Sequence, residues 1–567
     1  MQRMRTPSKE PCDIAGSIPN RGKDALTTSI ANLAVKGLIE NGIDTLYCLP
    51  GVQNDGFFDT LFDNTDRLTP IQTRHEQGAA YMATGAALST GKPQAFCVVP
   101  GPGFLNAAAA LSTAYAVNAP VLALVGQIPT GAQGQGHGLL HEIPDQFAIL
   151  QQLTKSSHRI SGFDTAAGDI RAAFTALKSG RPRPVGLEIA VNQWTQACRH
   201  DTSGLCVTAM PAPQPDSDAI TSAADLIIKA KAPMIVVGGG AQDDAEAVQH
   251  LAARIGAPVV AFRTGHGVVP SDDPLSISMP VAHDLWADVD LVIGLGTRLQ
   301  SQVMAWGQDD AMTIVHIDID ESQIGRSARV DVGIHAALGD ALPLLMAEID
   351  STADPNRDWL DRVALTKSRR AAEYEQRLAP QLGWLNAIRA ALPPEGIFVD
   401  ELTQTGYVSR FAFPSFGPRR FISTGYQGTL GYGFPTALGV AHARRDVPVV
   451  AISGDGGALF AITELATAVH HNIPLTTVIF NDHAFGNVRR LQMDNYDNRL
   501  IASDLSSPDF ASLARSFGAQ GLMASNPDDL RGALDIAMAH DGPSVIEVPV
   551  GELPSPWDLV LMPRVRG

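Results

Sequence analysis

Residues Val449–Asn487 read VVAISGDGGALFAITELATAVHHNIPLTTVIFNDHAFGN. The apolar run Val449–Ser453 is strand-like and stops at Gly454-Asp455-Gly456-Gly457. An amphipathic helix is predicted at about Ile462–His471, and a second apolar run, Leu475–Asn481, stops at Asp482-His483. Two apolar runs joined through a helix read as neighbouring parallel strands, because a parallel pair needs a long crossover. Asp455 and Asp482, 27 positions apart, therefore fall at the carboxyl ends of adjacent strands, where open α/β sheets bind ligands. An Asp-Gly-Gly turn alone is usually only a turn. Here two hard oxygen ligands stand beside glycines that let backbone N–H groups approach a phosphate, an arrangement that suits Mg²⁺.

The same alternation extends in both directions. Strands are predicted at Ile397–Val399 and Ser544–Val548 around this motif, and at Met234–Val237, Pro258–Phe262, Leu291–Leu295 and Thr313–Asp318 before it. Earlier still come Thr45–Cys48, Ile71–Thr73, Gln94–Val99, Val121–Val125 and Val185–Val191. Strands alternating with helices build parallel sheets covered on both faces. The expected fold is thus α/β, with three consecutive doubly wound parallel-sheet domains. Their expected limits are 22–195, 215–350 and 380–551, with an N-terminal extension at 1–21 and a C-terminal tail at 552–567. The proline-rich stretch Pro211–Asp218 is the linker between the first two.

A formal net charge of −17 argues against nucleic acid or an anionic membrane as the main partner, since both repel it at long range. No uncharged apolar run is long enough to span a bilayer, and residues 1–21 lack the apolar centre of a signal peptide. Cys12, Cys48, Cys97, Cys198 and Cys206 form no Cys-x-x-Cys pair, which reads as reduced, buried thiols in the cytoplasm.

With the strand–GDG–helix–strand–ND arrangement in hand, the chain resembles the thiamine-diphosphate enzyme superfamily, most closely its acetolactate-synthase-like branch. The resemblance runs from about Asp24 to Val550. It implies that Asp455, Asp482 and the main-chain carbonyl of Ala484 bind Mg²⁺, with Asp482 standing where most relatives have Asn. It makes Gly454, Gly456 and Gly457 cofactor-binding residues, together with Gln404. A second match is Arg74-His75-Glu76-Gln77-Gly78-Ala79, where the resemblance implies that Glu76 hydrogen-bonds N1′ of the cofactor's aminopyrimidine. A carboxyl sharing a proton with N1′ favours the imino tautomer, whose 4′-nitrogen can take the proton from C2. A third match is Gly425–Pro435, GYQGTLGYGFP, where the carbonyl of Gly428 is implied to accept from the 4′-amino group and Leu430 to hold the cofactor bent. Gly101–Asn106 and Gly126-Gln127 resemble segments at the mouth of the site, and Gln127 is a candidate there. Among histidines, which titrate nearest neutrality, His137, His141 and His483 are candidate proton carriers, and His141 replaces a family Gln. The resemblance also implies a site shared between two chains, hence a homodimer at minimum and a homotetramer as the expected assembly.

The chain departs from genuine acetolactate synthases where an Arg and a Trp shape the site for a second 2-oxo acid. Gln302 and Leu491 stand there instead. Losing a cation weakens recognition of an acceptor carboxylate. The expected activity is therefore that of a lyase or carboligase acting on a 2-oxo acid or 2-hydroxy ketone, with a neutral acceptor or none. A C–C hydrolase of a diketone using the same cofactor is an alternative, and an FAD- or NAD-dependent oxidoreductase is another. An FAD site is left open because Gly238-Gly239-Gly240 and Gly294–Arg298 match places where some relatives hold FAD, although no full G-x-G-x-x-G is present.

Overall fold

The computed structural model describes residues 28–198, 204–349 and 355–567; the expected extension at 1–21, with Cys12, lies outside them. Three six-stranded sheets form, one in each third of the chain. Every pairing within them is parallel. Central strands such as Val121–Gln127 and Leu475–Asn481 are buried along their whole length, as strands covered by helices on both faces must be.

The sheets do not share one topology. Numbered within each domain, the first and third both run 2-1-3-4-6-5, whereas the middle one runs 3-2-1-4-5-6. In the first and third domains the segment between strands 2 and 3 is a helix of small residues, Glu76–Thr90 and Gly433–Ala443 respectively. Both helices are buried on nearly every face, so neither shows an amphipathic stripe. They are buried because they pack against each other. A Cβ on Gly85 would come 2.0 Å from the carbonyl oxygen of Thr436, and one on Gly439 would come 1.9 Å from that of Met82. Each glycine thus meets the residue three positions before the other, a reciprocal crossing that only glycine permits. One hydrophobic core runs through this contact, from Tyr47 and Phe96 in the first sheet to Val449 and Ile479 in the third.

The sequence reading omits seven observed strands: Ser156–Ile160, Ser276–Ile277, Val332–His335, Phe421–Ile422 and Gln520–Met523 in the three large sheets, and Thr28–Ser29 and Ala197–Cys198, which pair with each other as a two-stranded antiparallel ribbon. The helix expected at Ile462–His471 is a tight turn, Ile462–Glu464, followed by the helix Leu465–His470. Cys48 and Cys97 are free and buried as expected, but Cys206 is exposed.

Candidate active site

In the third domain the strand Val449–Gly454 delivers Asp455 to the first position of the short helix Asp455–Leu459. Its neighbour Leu475–Asn481 delivers Asp482, and the register pairs Gly454 with Phe480. The two carboxylates therefore leave the sheet side by side. Asp455 is 1% exposed and accepts a hydrogen bond from Ser507 Oγ. Asp482 accepts from Gln404 Nε2 at 2.7 Å and from the Ala484 N–H at 3.2 Å. Burial, and then the charge of Asp455, pushes its carboxyl up to about 6. Gln404 is fixed at its other end, its Oε1 accepting from Leu553 N–H at 2.8 Å.

A cavity of about 280 Å3 is lined by every third-domain residue expected to hold the cofactor or the metal: Gln404, Gly428, Leu430, Gly454–Gly457, Asp482 and Ala484; His483 and Leu491 do not line it. Gly428 has φ +59°, a conformation glycine reaches without strain. The loop that carries it is held from behind by Glu401, which accepts from Gly431 N–H at 3.0 Å, Gly433 N–H at 2.9 Å and Ser453 Oγ at 3.2 Å. Burial pushes the Glu401 carboxyl up to about 7, against the pull of those donors. The chemistry of the wall fits a metal–diphosphate pair. Two carboxylates and a carbonyl give Mg²⁺ a partial oxygen shell that phosphate and water complete. Among the described residues no cluster of three or more His, Cys, Asp or Glu forms an all-protein metal cage.

Glu76, Gln127 and His141 belong to the first domain and do not line this cavity. Glu76 opens the helix Glu76–Thr90, is 9% exposed, and accepts from Asn106 Nδ2 at 3.0 Å. Gln127 is buried with both ends of its amide engaged: Nε2 donates to Glu188 at 3.0 Å and Oε1 accepts from Ile128 N–H at 2.8 Å. Glu188 is in turn held by Arg159 and Gln146. His141 has φ +68°, and its Nδ1 lies 3.0 Å from Gln53 Oε1. Its carbonyl rests on Gly101, where a Cβ would come within 2.2 Å. His137 and His483 are exposed. Gln302 is buried against Met279 Sδ at 3.3 Å, and Leu491 is 41% exposed on the helix Gly486–Asn495.

Sequence reasoning missed Ser507, Glu401 and Glu464. Only Glu401, an acid just beyond the strand Ile397–Val399, carried a readable signal. In the middle domain, Gly238–Gly240 and Gly296–Arg298 line a second cavity of about 350 Å3.

The chain matches three family descriptions in succession. These are the thiamine pyrophosphate enzyme N-terminal TPP-binding domain at residues 28–149, the central domain at 220–345 and the C-terminal TPP-binding domain at 403–548. All three descriptions name thiamine pyrophosphate and none names FAD, so the FAD expectation gains no support. A probable 2-ketoarginine decarboxylase of Pseudomonas aeruginosa is 30% identical over 539 residues, covering 94% of this chain and 95% of its own. A probable acetolactate synthase large subunit of Methanocaldococcus jannaschii is 31% identical over 552 residues, 91% of each chain. The acetolactate synthase isozyme 1 large subunit of Escherichia coli is 28% identical over 529 residues, 91% of this chain and 93% of its own. Three matched domains in order, over three sheets, and relatives that match nearly the whole chain lead to one assignment: the chain belongs to the thiamine pyrophosphate enzyme family, in its acetolactate-synthase-like branch, and makes or breaks carbon–carbon bonds.

Proposed function

We propose that this enzyme acts with Mg²⁺ on a 2-oxo acid or 2-hydroxy ketone, as a decarboxylase, lyase or carboligase with a neutral acceptor or none. The observation that carries this reading is the single cavity that collects Gln404, Gly428, Leu430, Gly454–Gly457, Asp482 and Ala484. Thiamine diphosphate, when bound, supplies a carbon nucleophile for the carbonyl and a sink for the electron pair left by cleavage. Asp455, Asp482 and the Ala484 carbonyl would hold the metal. Gly454–Gly457 would leave room for the phosphates, Gly428 would offer its carbonyl to the 4′-amino group, and Leu430 would hold the cofactor bent. Glu76 would hold or return the proton at N1′, kept in place by Asn106. His141, on the mouth loop, is the candidate to move a proton at the substrate. Gln127 supports the mouth through Glu188.

The restricted acceptor rests on Gln302 and Leu491. Neither brings a cation for a second carboxylate, and the buried Gln302 amide is turned to Met279. The relative named as a probable 2-ketoarginine decarboxylase supports a 2-oxo acid donor. Because the diphosphate cavity is lined by third-domain residues and Leu553 of the tail, and by none of the first domain where Glu76 sits, we read the complete site as shared between two chains. The assembly is then a homodimer at least, and a homotetramer as a pair of dimers. Among the described residues no helix is long and apolar enough to cross a membrane. The free thiols of Cys48, Cys97 and Cys206 support a cytoplasmic location.

The test is a panel of 2-oxo acids and 2-hydroxy ketones incubated with enzyme, Mg²⁺ and thiamine diphosphate, with products identified by mass. Cofactor-dependent release of CO₂ or an aldehyde is the expected result. Hydrolysis of a diketone with no reaction on the panel would overturn it.

A further inference from the structure

Glu464 is fully buried in the third domain, immediately before the helix Leu465–His470, yet its carboxylate serves the first. Its Oε1 accepts from His75 N–H at 2.9 Å and from Arg74 N–H at 3.2 Å. Its Oε2 accepts from Arg74 N–H at 3.1 Å and from Thr467 Oγ1 at 2.5 Å. Arg74 and His75 are the two residues immediately before Glu76, and His75 caps the helix that Glu76 opens. The carboxylate therefore sits at the amino end of a 15-residue helix, where unpaired N–H groups and the helix dipole favour an anion. Gly78 makes the room. A Cβ there would come 2.2 Å from Glu464 Oε1, which explains the glycine in the run RHEQGA.

We propose that Glu464 is a positioning residue for Glu76: through the N–H groups of Arg74 and His75 it fixes the turn that aims the catalytic carboxyl at the cofactor. This rests on the reading of Glu76 given above. Burying a carboxylate is costly unless it is fully hydrogen-bonded, and a purely adhesive contact would not need one. The two domains are already held together without it. The glycine crossing, Tyr47 Oη against His442 Nδ1 at 3.2 Å and Gln72 Nε2 against His470 Nε2 at 3.2 Å all join the same faces. What Glu464 adds is orientation of one backbone segment. An error of about 1 Å in such a group costs on the order of a hundredfold in rate.

The experiment compares Glu464→Gln, Gly78→Ala and Glu76→Gln with the wild type in the full-length enzyme. Three quantities are measured: thermal unfolding, amide hydrogen exchange of the segment containing Arg74 and His75 in cofactor-free protein, and exchange of the C2 proton of bound thiamine diphosphate. Glu464→Gln keeps the shape but loses the charge and one acceptor. It is expected to unfold close to the wild type, to lose amide protection at Arg74 and His75, and to slow C2-proton exchange by roughly 10–100-fold. Gly78→Ala attacks the same contact from the opposite side and is expected to do the same. Glu76→Gln is expected to slow C2-proton exchange while leaving the amide protection intact. Wild-type amide protection and wild-type C2-proton exchange in a folded Glu464→Gln or Gly78→Ala protein would overturn the proposal. Unchanged C2-proton exchange in Glu76→Gln would instead overturn the role given to Glu76.

Discussion

Asp455 and Asp482 leave neighbouring parallel strands side by side, and the charge of the first, added to burial, holds the carboxyl of the second at about 6. Two acids brought this close repel each other and gain from a shared cation. Asp455→Ala removes one proposed ligand and one source of that repulsion. Calorimetric titration with Mg²⁺ and thiamine diphosphate is expected to show affinity reduced by about 100-fold or more, since even groups behind metal ligands cost 10–100-fold. Chelation of the wild type should abolish turnover and Mg²⁺ should restore it. Equal cofactor binding by the variant and the wild type would place the metal elsewhere.

Glu76→Gln is expected to keep most cofactor affinity and to lose turnover by about 10²–10⁴-fold, the usual cost of one positioned acid–base group. Mixed with Asp455→Ala under conditions of subunit exchange, it should regain activity. A heterodimer then carries one site with both lesions and one with neither, so about half of its sites recover. Heterodimers confirmed by mass but inactive would mean that each site is built within one chain.

Glu401 gives a stability signature. Its carboxyl is raised from 4.5 to about 7 by burial, so the folded protein keeps a proton that the unfolded chain releases. Stability attributable to this group is therefore complete below pH 4.5, declines as pH rises, and has been lost once pH passes about 7. In Glu401→Gln this decline is absent. Chemical unfolding of both proteins from pH 5 to pH 8 should show the variant gaining relative to the wild type, by on the order of 3 kcal/mol at most. A constant difference across that range would refute the assignment.

Gly439→Ala should destabilise the enzyme by about 1–3 kcal/mol or more, because a methyl group cannot share space with the Met82 carbonyl. Gly532 lies on the exposed side of the helix Pro527–Met538 with nothing within 4 Å of its would-be Cβ. There the same change should stabilise by up to about 1 kcal/mol through helix propensity alone. Thermal unfolding of the two variants separates crowding from propensity.

The parts of the fold legible in the sequence are those whose signal is local. Central strands such as Leu475–Asn481 read as unbroken apolar runs because both faces are covered. The five strands of the six-stranded sheets that went unread all lie at sheet edges, and the other two form a separate short ribbon. Ser156–Ile160 buries only its last residue and Gln520–Met523 buries none, so neither shows an apolar run, while Phe421–Ile422 is too short to show a period. The part of the cavity wall that was readable, Gly454–Gly457 and Asp482, sits on two neighbouring strand ends. Gln127 looked free for chemistry because its partner Glu188 is 61 positions away. Glu464, 390 positions from Arg74, has no local signature at all. Contacts made by folding across domains leave no periodicity to read.

The reciprocal crossing of the helices Glu76–Thr90 and Gly433–Ala443 makes the first and third domains a pseudo-symmetric pair. Two units with the same strand order meet through the same helix at the same three-residue offset, which is the contact that two identical chains make about a two-fold axis. The two domains thus face each other as near-equivalent halves that differ in what they carry: one has an acid at the head of the shared helix, and the other a pair of acids at the ends of its strands.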